Sequence, residues 1–170
     1  MNLYLRLLIL IIKSRWKPRI GLTDISILEF RVLPNDLDVN IHMNNGRFNS
    51  IMDLGRIDIM LRSGLLKIVN KKGWYGVVGS IHIRFRRPLK LFQHYELHSK
   101  IIYWDNKWTW VEQKIYSHKK LICSALVQTL IRKKGENVPT HELLKIMELD
   151  HQSPAITNEI RHLEKFEPLE

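Results

Sequence analysis

Cysteine is almost missing from this chain of 170 residues, where Cys123 stands alone. One thiol closes no intramolecular disulfide and builds no multi-cysteine zinc site, and such usage fits a reducing compartment. Because Cys123 lies in a β-like apolar run, a buried structural thiol is expected there rather than a nucleophile. Long hydrophobic runs are missing as well. The most apolar stretch, Leu3 to Ile12, is broken by Arg6 and is too short to span a bilayer. Its basic residues follow rather than precede it and no small-residue cleavage site appears, so it does not read as a secretion signal. Internal repeats and low-complexity tracts are lacking too. Acidic residues are outnumbered, 17 against 27 basic ones, for a net charge of +10. That field draws anionic ligands, whether nucleic acid, anionic lipid or a phosphate-rich carrier such as coenzyme A. No RNA- or DNA-binding motif accompanies the charge, so nucleic acid is not an expected partner.

What is present suits one domain, since 45% hydrophobic content at this length supports a real core. Residues 1–24 read as an apolar and basic N-terminal segment, helical, with five basic groups and no acid in its first 19 positions. It suits either a helix docked on its own domain or a partner, or peripheral contact of residues 1–19 with an anionic membrane surface. Residues 25–135 read as the main domain and 136–170 as an acid-rich helical tail. Leu28, Phe30 and Val32 alternate with Glu29 and Arg31, the period of a half-buried strand. Gly46 to Ser63 is apolar nearly all round at helical spacing, so this helix must be buried on more than one side. Gly64 is its C-terminal cap, and Asn70 to Gly73 a turn.

Four strands are expected next, at 75–87, 94–104, 108–117 and 121–132, joined by short polar links that favour hairpins. In the first of them Val77, Gly79, Ile81, Ile83 and Phe85 face one way, and Ser80, His82, Arg84 and Arg86 the other. Pro139 to Met147 reads as a short helix, and another is expected from Ser153 as N-cap to Lys165. The sum is an α+β domain: a five-stranded antiparallel sheet wrapped around a long central helix.

The chemistry concentrates between Pro34 and Arg56, where Asn35, Asp36, Asp38, Asn40, His42, Asn44 and Asn45 crowd one loop ahead of that helix. Asp38, Asn40 and His42 alternate, so an extended backbone would set all three on one face. An asparagine cap and a helix N-terminus follow, offering partial positive charge to a developing oxyanion. Carboxylate, amide, imidazole and helix end are the parts that acyl transfer uses, although the same residue types are common in turns and caps. His82 and His94 have no second ligand at metal-like spacing, so no metal is expected.

The order of elements, with Asp38-Val39-Asn40-Ile41-His42-Met43-Asn44-Asn45, resembles the hotdog-fold acyl thioesterases. The string Asp36-Leu37-Asp38-x-Asn40-x-His42-x-Asn44-Asn45 is similar to plant acyl-ACP thioesterases. The spacing from Asp38 to the helix resembles the 4-hydroxybenzoyl-CoA thioesterase-like branch. The resemblance implies a cytoplasmic thioester hydrolase acting on acyl-CoA or acyl-ACP as a homodimer or homotetramer, peripheral at the inner membrane surface if the N-terminal segment makes that contact. No cofactor is implied beyond the coenzyme A or carrier protein of the substrate. It implies Asp38 as nucleophile or general base, Asn40 and His42 as its helpers, and the amides near Asn45 and Gly46 as the oxyanion site. Asn44, Phe48, Arg84, Arg86 and Arg87, with Lys90, would meet substrate, and Asp53 would be either an acid of the helix or half of an ion pair with Arg56. Two departures stand out: Phe48 replaces a tyrosine common in relatives, and Gly76 to Ile81 lacks the strand carboxylate of the acyl-ACP branch. A non-catalytic acyl-thioester or lipid-binding role is the alternative.

Overall fold

A computed structural model describes residues 3–149 and 152–164. The chain runs α1 (Leu3–Ser14), β1 (Ser26–Arg31), a 3-10 turn (Pro34–Asp36), α2 (Asn45–Arg62), α3 (Leu65–Lys71), β2 (Tyr75–Phe85), β3 (His94–Trp104), β4 (Thr109–Ser117), β5 (Lys120–Lys133), β6 (Glu136–Val138), α4 (Thr140–Ile146) and α5 (Asn158–Glu164). The five main strands pair antiparallel in the order β1-β3-β4-β5-β2, and a short β6 adds a sixth strand beside β5. β3, β4 and β5 follow one another as hairpins, as their polar links require.

The sheet wraps α2. Phe48, Ile51, Met52, Leu54 and Ile59 of the helix are buried against a sheet face carrying Leu97, Ile101, Val111, Ile115, Ala125 and Val127. Helix and sheet approach closely at Gly55, where a Cβ would run into Ser99 Oγ and come to 2.8 Å from Leu97 Cδ2 and 2.9 Å from Gln113 Nε2. The buried Gln113 amide bridges the two layers, donating to Met52 O and Ser99 Oγ at 2.8 Å each, while its Oε1 accepts from Arg56 at 2.6 Å. Burial satisfied in this way costs little and fixes the register of helix on sheet.

Three local expectations differ from the structure. Residues 65–71 form a short helix, so Asn70 is helical and only the end of that stretch turns, at Gly73 with φ +66°. Gly79 lies at a bulge that breaks the alternation of β2 between Val78 and Ser80, because the Trp108 ring occupies the space a Cβ would take. Ser153 caps no helix: its hydroxyl accepts from the Trp104 N–H at 2.9 Å, and α5 begins only at Asn158, with Thr157 Oγ1 receiving the Ile160 N–H. The expected end at Lys165 lies outside the described residues.

α1 lies along α2. Its buried residues are Leu10 and, against all expectation for a guanidinium, Arg6.

Candidate active site

Arg6 explains how the polar loop is held. Asp36, wholly buried, accepts at Oδ2 from Arg6 Nη2 at 2.5 Å and from the Leu33 N–H at 2.9 Å, and at Oδ1 from Arg47 Nε at 3.1 Å. Its own carbonyl accepts the Asn44 N–H at 2.8 Å. One carboxylate therefore ties α1, the loop and the first turn of α2 together. A buried charge is tolerable only when paired and hydrogen-bonded, and this one is satisfied on both oxygens. The burial also holds the nearby Tyr95 phenol above its ordinary value, desolvation outweighing the cations beside it.

With the ends pinned, residues 37–43 close as a miniature hairpin. Leu37 bridges Met43, the Asp38 N–H donates to His42 O at 2.8 Å, and the Ile41 N–H donates to Asp38 O at 3.0 Å. Ile41 turns the chain with φ +59°. Asp38, Asn40 and His42 are thus gathered by a tight turn, not spread along an extended strand. The Asp38 carboxylate folds over this turn: Oδ1 accepts from the Asn40 N–H at 2.8 Å and from the His42 N–H at 3.4 Å. Oδ2 accepts nothing among the described residues. The side chain is half-buried, as is His42, and Asn40 is exposed.

The start of α2 adjoins the turn. Asn44 is the N-cap, its Oδ1 accepting the Gly46 N–H at 2.8 Å, and its carbonyl takes the Arg47 N–H. The N–H of Gly46 is consequently occupied, whereas that of Asn45 has no acceptor among the described residues. Phe48, buried to 2% exposure, sets its ring edge-on to Phe85 with centroids 5.2 Å apart, which makes it a core residue just beneath the helix start.

The basic residues divide. Phe85 faces α2, so its strand neighbours Arg84 and Arg86 face the other way, and with His82, Glu112 and Lys114 they line an outer groove of about 780 Å³. Arg87 donates to Leu121 O at 2.7 Å and remains exposed. Lys90 is brought to the loop, since His42 bridges Lys90 and the Met43 N–H donates to Leu89 O. Asp53 is ion-paired with Arg56, whose guanidinium is held below its ordinary range by burial despite that partner.

Asp53 and Arg56 open onto a feature absent from any sequence pattern. A cavity of about 350 Å³, within the size range of ligand pockets, lies between α2, the start of α1 and the sheet. Leu7, Ile57, Met60, Val77, Leu130 and Leu144 are among its largely apolar lining.

A family model described as the thioesterase-like superfamily matches residues 32–162. Protein THEM6 of Xenopus laevis is 32% identical over 135 residues, a match covering 79% of this chain and 65% of that protein. The chain thus spans about two thirds of the length of that relative. Among solved structures, the probable thioesterase YbaW from Escherichia coli superposes with a TM-score of 0.66 at 22% identity, covering 72% of this chain and 96% of that one. The SAV2348 protein from Staphylococcus aureus, solved in complex with CoA, superposes with a TM-score of 0.65 at 15% identity, covering 82% and 92%. The chain belongs to the thioesterase-like superfamily, and its curled antiparallel sheet around a central helix is the hotdog fold of those solved neighbours.

Proposed function

We propose that this protein hydrolyses acyl thioesters carried on coenzyme A, with Asp38 as the reacting carboxylate. The observation that carries the reading is the division of labour between the two Asp38 oxygens. Oδ1 is spent on the turn and fixes the side chain, leaving Oδ2 open among the described residues, in the turn that leads into α2. As base, Oδ2 takes a proton from a water whose oxygen attacks the thioester carbonyl carbon. The resulting oxyanion lies against the Asn45 N–H and the positive end of the helix. Collapse breaks the carbon–sulfur bond, and the leaving thiolate recovers the proton, giving free acid and thiol. In the other form of the same assignment Oδ2 attacks the carbonyl carbon itself and the carbon–sulfur bond breaks to leave a mixed anhydride. Water then cleaves that anhydride to give the free acid, the Asp38 carboxylate and the proton that the thiolate takes up. Asn40 and His42 supply an amide and an imidazole at the turn to orient the attacking group.

Coenzyme A is favoured by the CoA complex of the SAV2348 protein and by Lys90 beside the loop, a cation suited to its phosphates. The apolar cavity has the size and polarity that suit an acyl chain, although its lining on α2 begins at Asp53 and includes no residue of the loop. A homo-oligomer is favoured by β2, an 11-residue edge strand that exposes Tyr75, Val78, Ile81 and Phe85. Natural proteins rarely leave so long an edge unpaired, and a second copy would cover it.

The test is thiol release from acyl-CoA substrates of graded length. Asp38→Asn keeps the turn-holding oxygen yet removes the base, so kcat/KM should fall at least about a hundredfold with the fold intact. Hydrolysis at the parental rate by that variant would place the chemistry elsewhere.

A further inference from the structure

We infer that α1 docks this protein on an anionic phospholipid surface. The helix has two apolar sides. One, carrying Leu3, Leu7 and Leu10 around Arg6, packs on the domain. At about 100° per residue, Tyr4, Leu5, Leu8, Ile9 and Ile12 fall on the opposite side, and all five are exposed. No charge interrupts this open face: Arg6 is turned inward to Asp36, and Lys13 stands at the edge of the helix. Trp16 follows at 78% exposure, an aromatic ring of the kind that settles at membrane interfaces.

Electrostatics chooses the occupant. Lys13, Arg15, Lys17 and Arg19 close the same segment, with no acid before Asp24. A protein surface of mixed charge has no need of such a cluster, whereas an anionic lipid surface attracts it while accepting the apolar face. No described helix is long and apolar enough to cross a membrane, so the contact is peripheral. The domain itself takes the place of the polar side that a free interfacial helix would need. Leu3, Tyr4 and Leu7 also border the apolar cavity. Docking would thus hold that cavity beside the bilayer, where long acyl chains partition; this consequence alone rests on the proposed thioesterase activity.

Co-sedimentation of the full chain with phosphatidylcholine vesicles, with and without phosphatidylglycerol, tests the inference. The protein should pellet with the anionic vesicles and release them as salt rises. Leu8→Glu with Ile12→Glu should abolish pelleting at an unchanged urea midpoint. Each exposed basic residue strengthens such binding about fivefold, so K13Q/R15Q/R19Q should weaken it about a hundredfold. Hydrolysis of a short, soluble acyl-CoA should be the same in all forms, which separates failure of docking from failure of the enzymatic reading. Absence of pelleting, equal pelleting by the variants, or a glutamate pair that dissociates an oligomer instead would each overturn it, the last by assigning the face to a second copy.

Discussion

Removing the Asp36 carboxylate is the sharpest test of how the site is built. Asp36→Asn weakens three hydrogen bonds and leaves the Arg6 guanidinium, 3% exposed, without its counter-charge. Breaking one partner of a buried pair costs about 3–5 kcal/mol. The Arg47 contact adds little, because that side chain is 24% exposed and water can replace its partner. With a urea slope of about 2 kcal/mol/M, the unfolding midpoint should drop by about 1.5–2.5 M. Arg6→Met should cost a comparable amount by stranding Asp36. The double variant should cost clearly less than the sum, because an apolar replacement of a whole buried pair is often tolerated. Tryptophan fluorescence follows the transition, there being five tryptophans in the chain. Thiol release should fall as well, since Asp36 O and Oδ1 position Asn44 and Arg47 at the helix start. A midpoint shift under about 0.3 M for Asp36→Asn, or strict additivity in the double variant, would refute the claim that this carboxylate pins the loop.

Three further outcomes are expected. Gly55→Ala should lower stability by about 1–3 kcal/mol, because its methyl group meets Ser99, Leu97 and Gln113 where α2 presses on the sheet; a thermal melt at the parental temperature would contradict that packing. Met60→Trp should fill part of the apolar cavity and shift the preferred acyl-CoA to shorter chains, read as kcat/KM against length; an unchanged profile would separate the cavity from the acyl group. Burial pushes the Cys123 thiol up to about 12 from its ordinary value of 9.0. The neutral thiol is therefore the folded form, and its contribution to stability is complete below about pH 9 and lost as pH rises toward 12. Iodoacetamide at pH 8 should consequently alkylate Cys123 only as fast as the protein opens, and rapid labelling of the native chain would show the thiol to be accessible.

Much of the architecture is legible without coordinates, because strand alternation and helical spacing are local properties. The alternation of Leu28 and Phe30 with Glu29, the nearly all-round apolar helix after Asn44, and the polar links between hairpins lead to a sheet wrapped on a helix. That an asparagine caps the helix follows from its chemistry alone, while the choice of Asn44 over Asn45 comes from the structure. The crowding of Asp38, Asn40 and His42 marks the loop before any contact is known. Tertiary structure decided what each polar group does there. Arg6 is 30 positions from Asp36, and Met43 meets Leu89 across the loop, so no periodicity connects them. Those distant contacts make Asp36 a buried anchor, turn residues 38–42 back on themselves and leave one Asp38 oxygen open. They also send Arg84 and Arg86 to the outer face, draw Lys90 in, and take the Ser153 hydroxyl from a helix cap to the Trp104 amide. Pattern along a chain reports which face of an element is apolar. Which buried charge finds which partner depends on where the elements come to rest, because the cost of an unpaired charge is settled only in the packed interior.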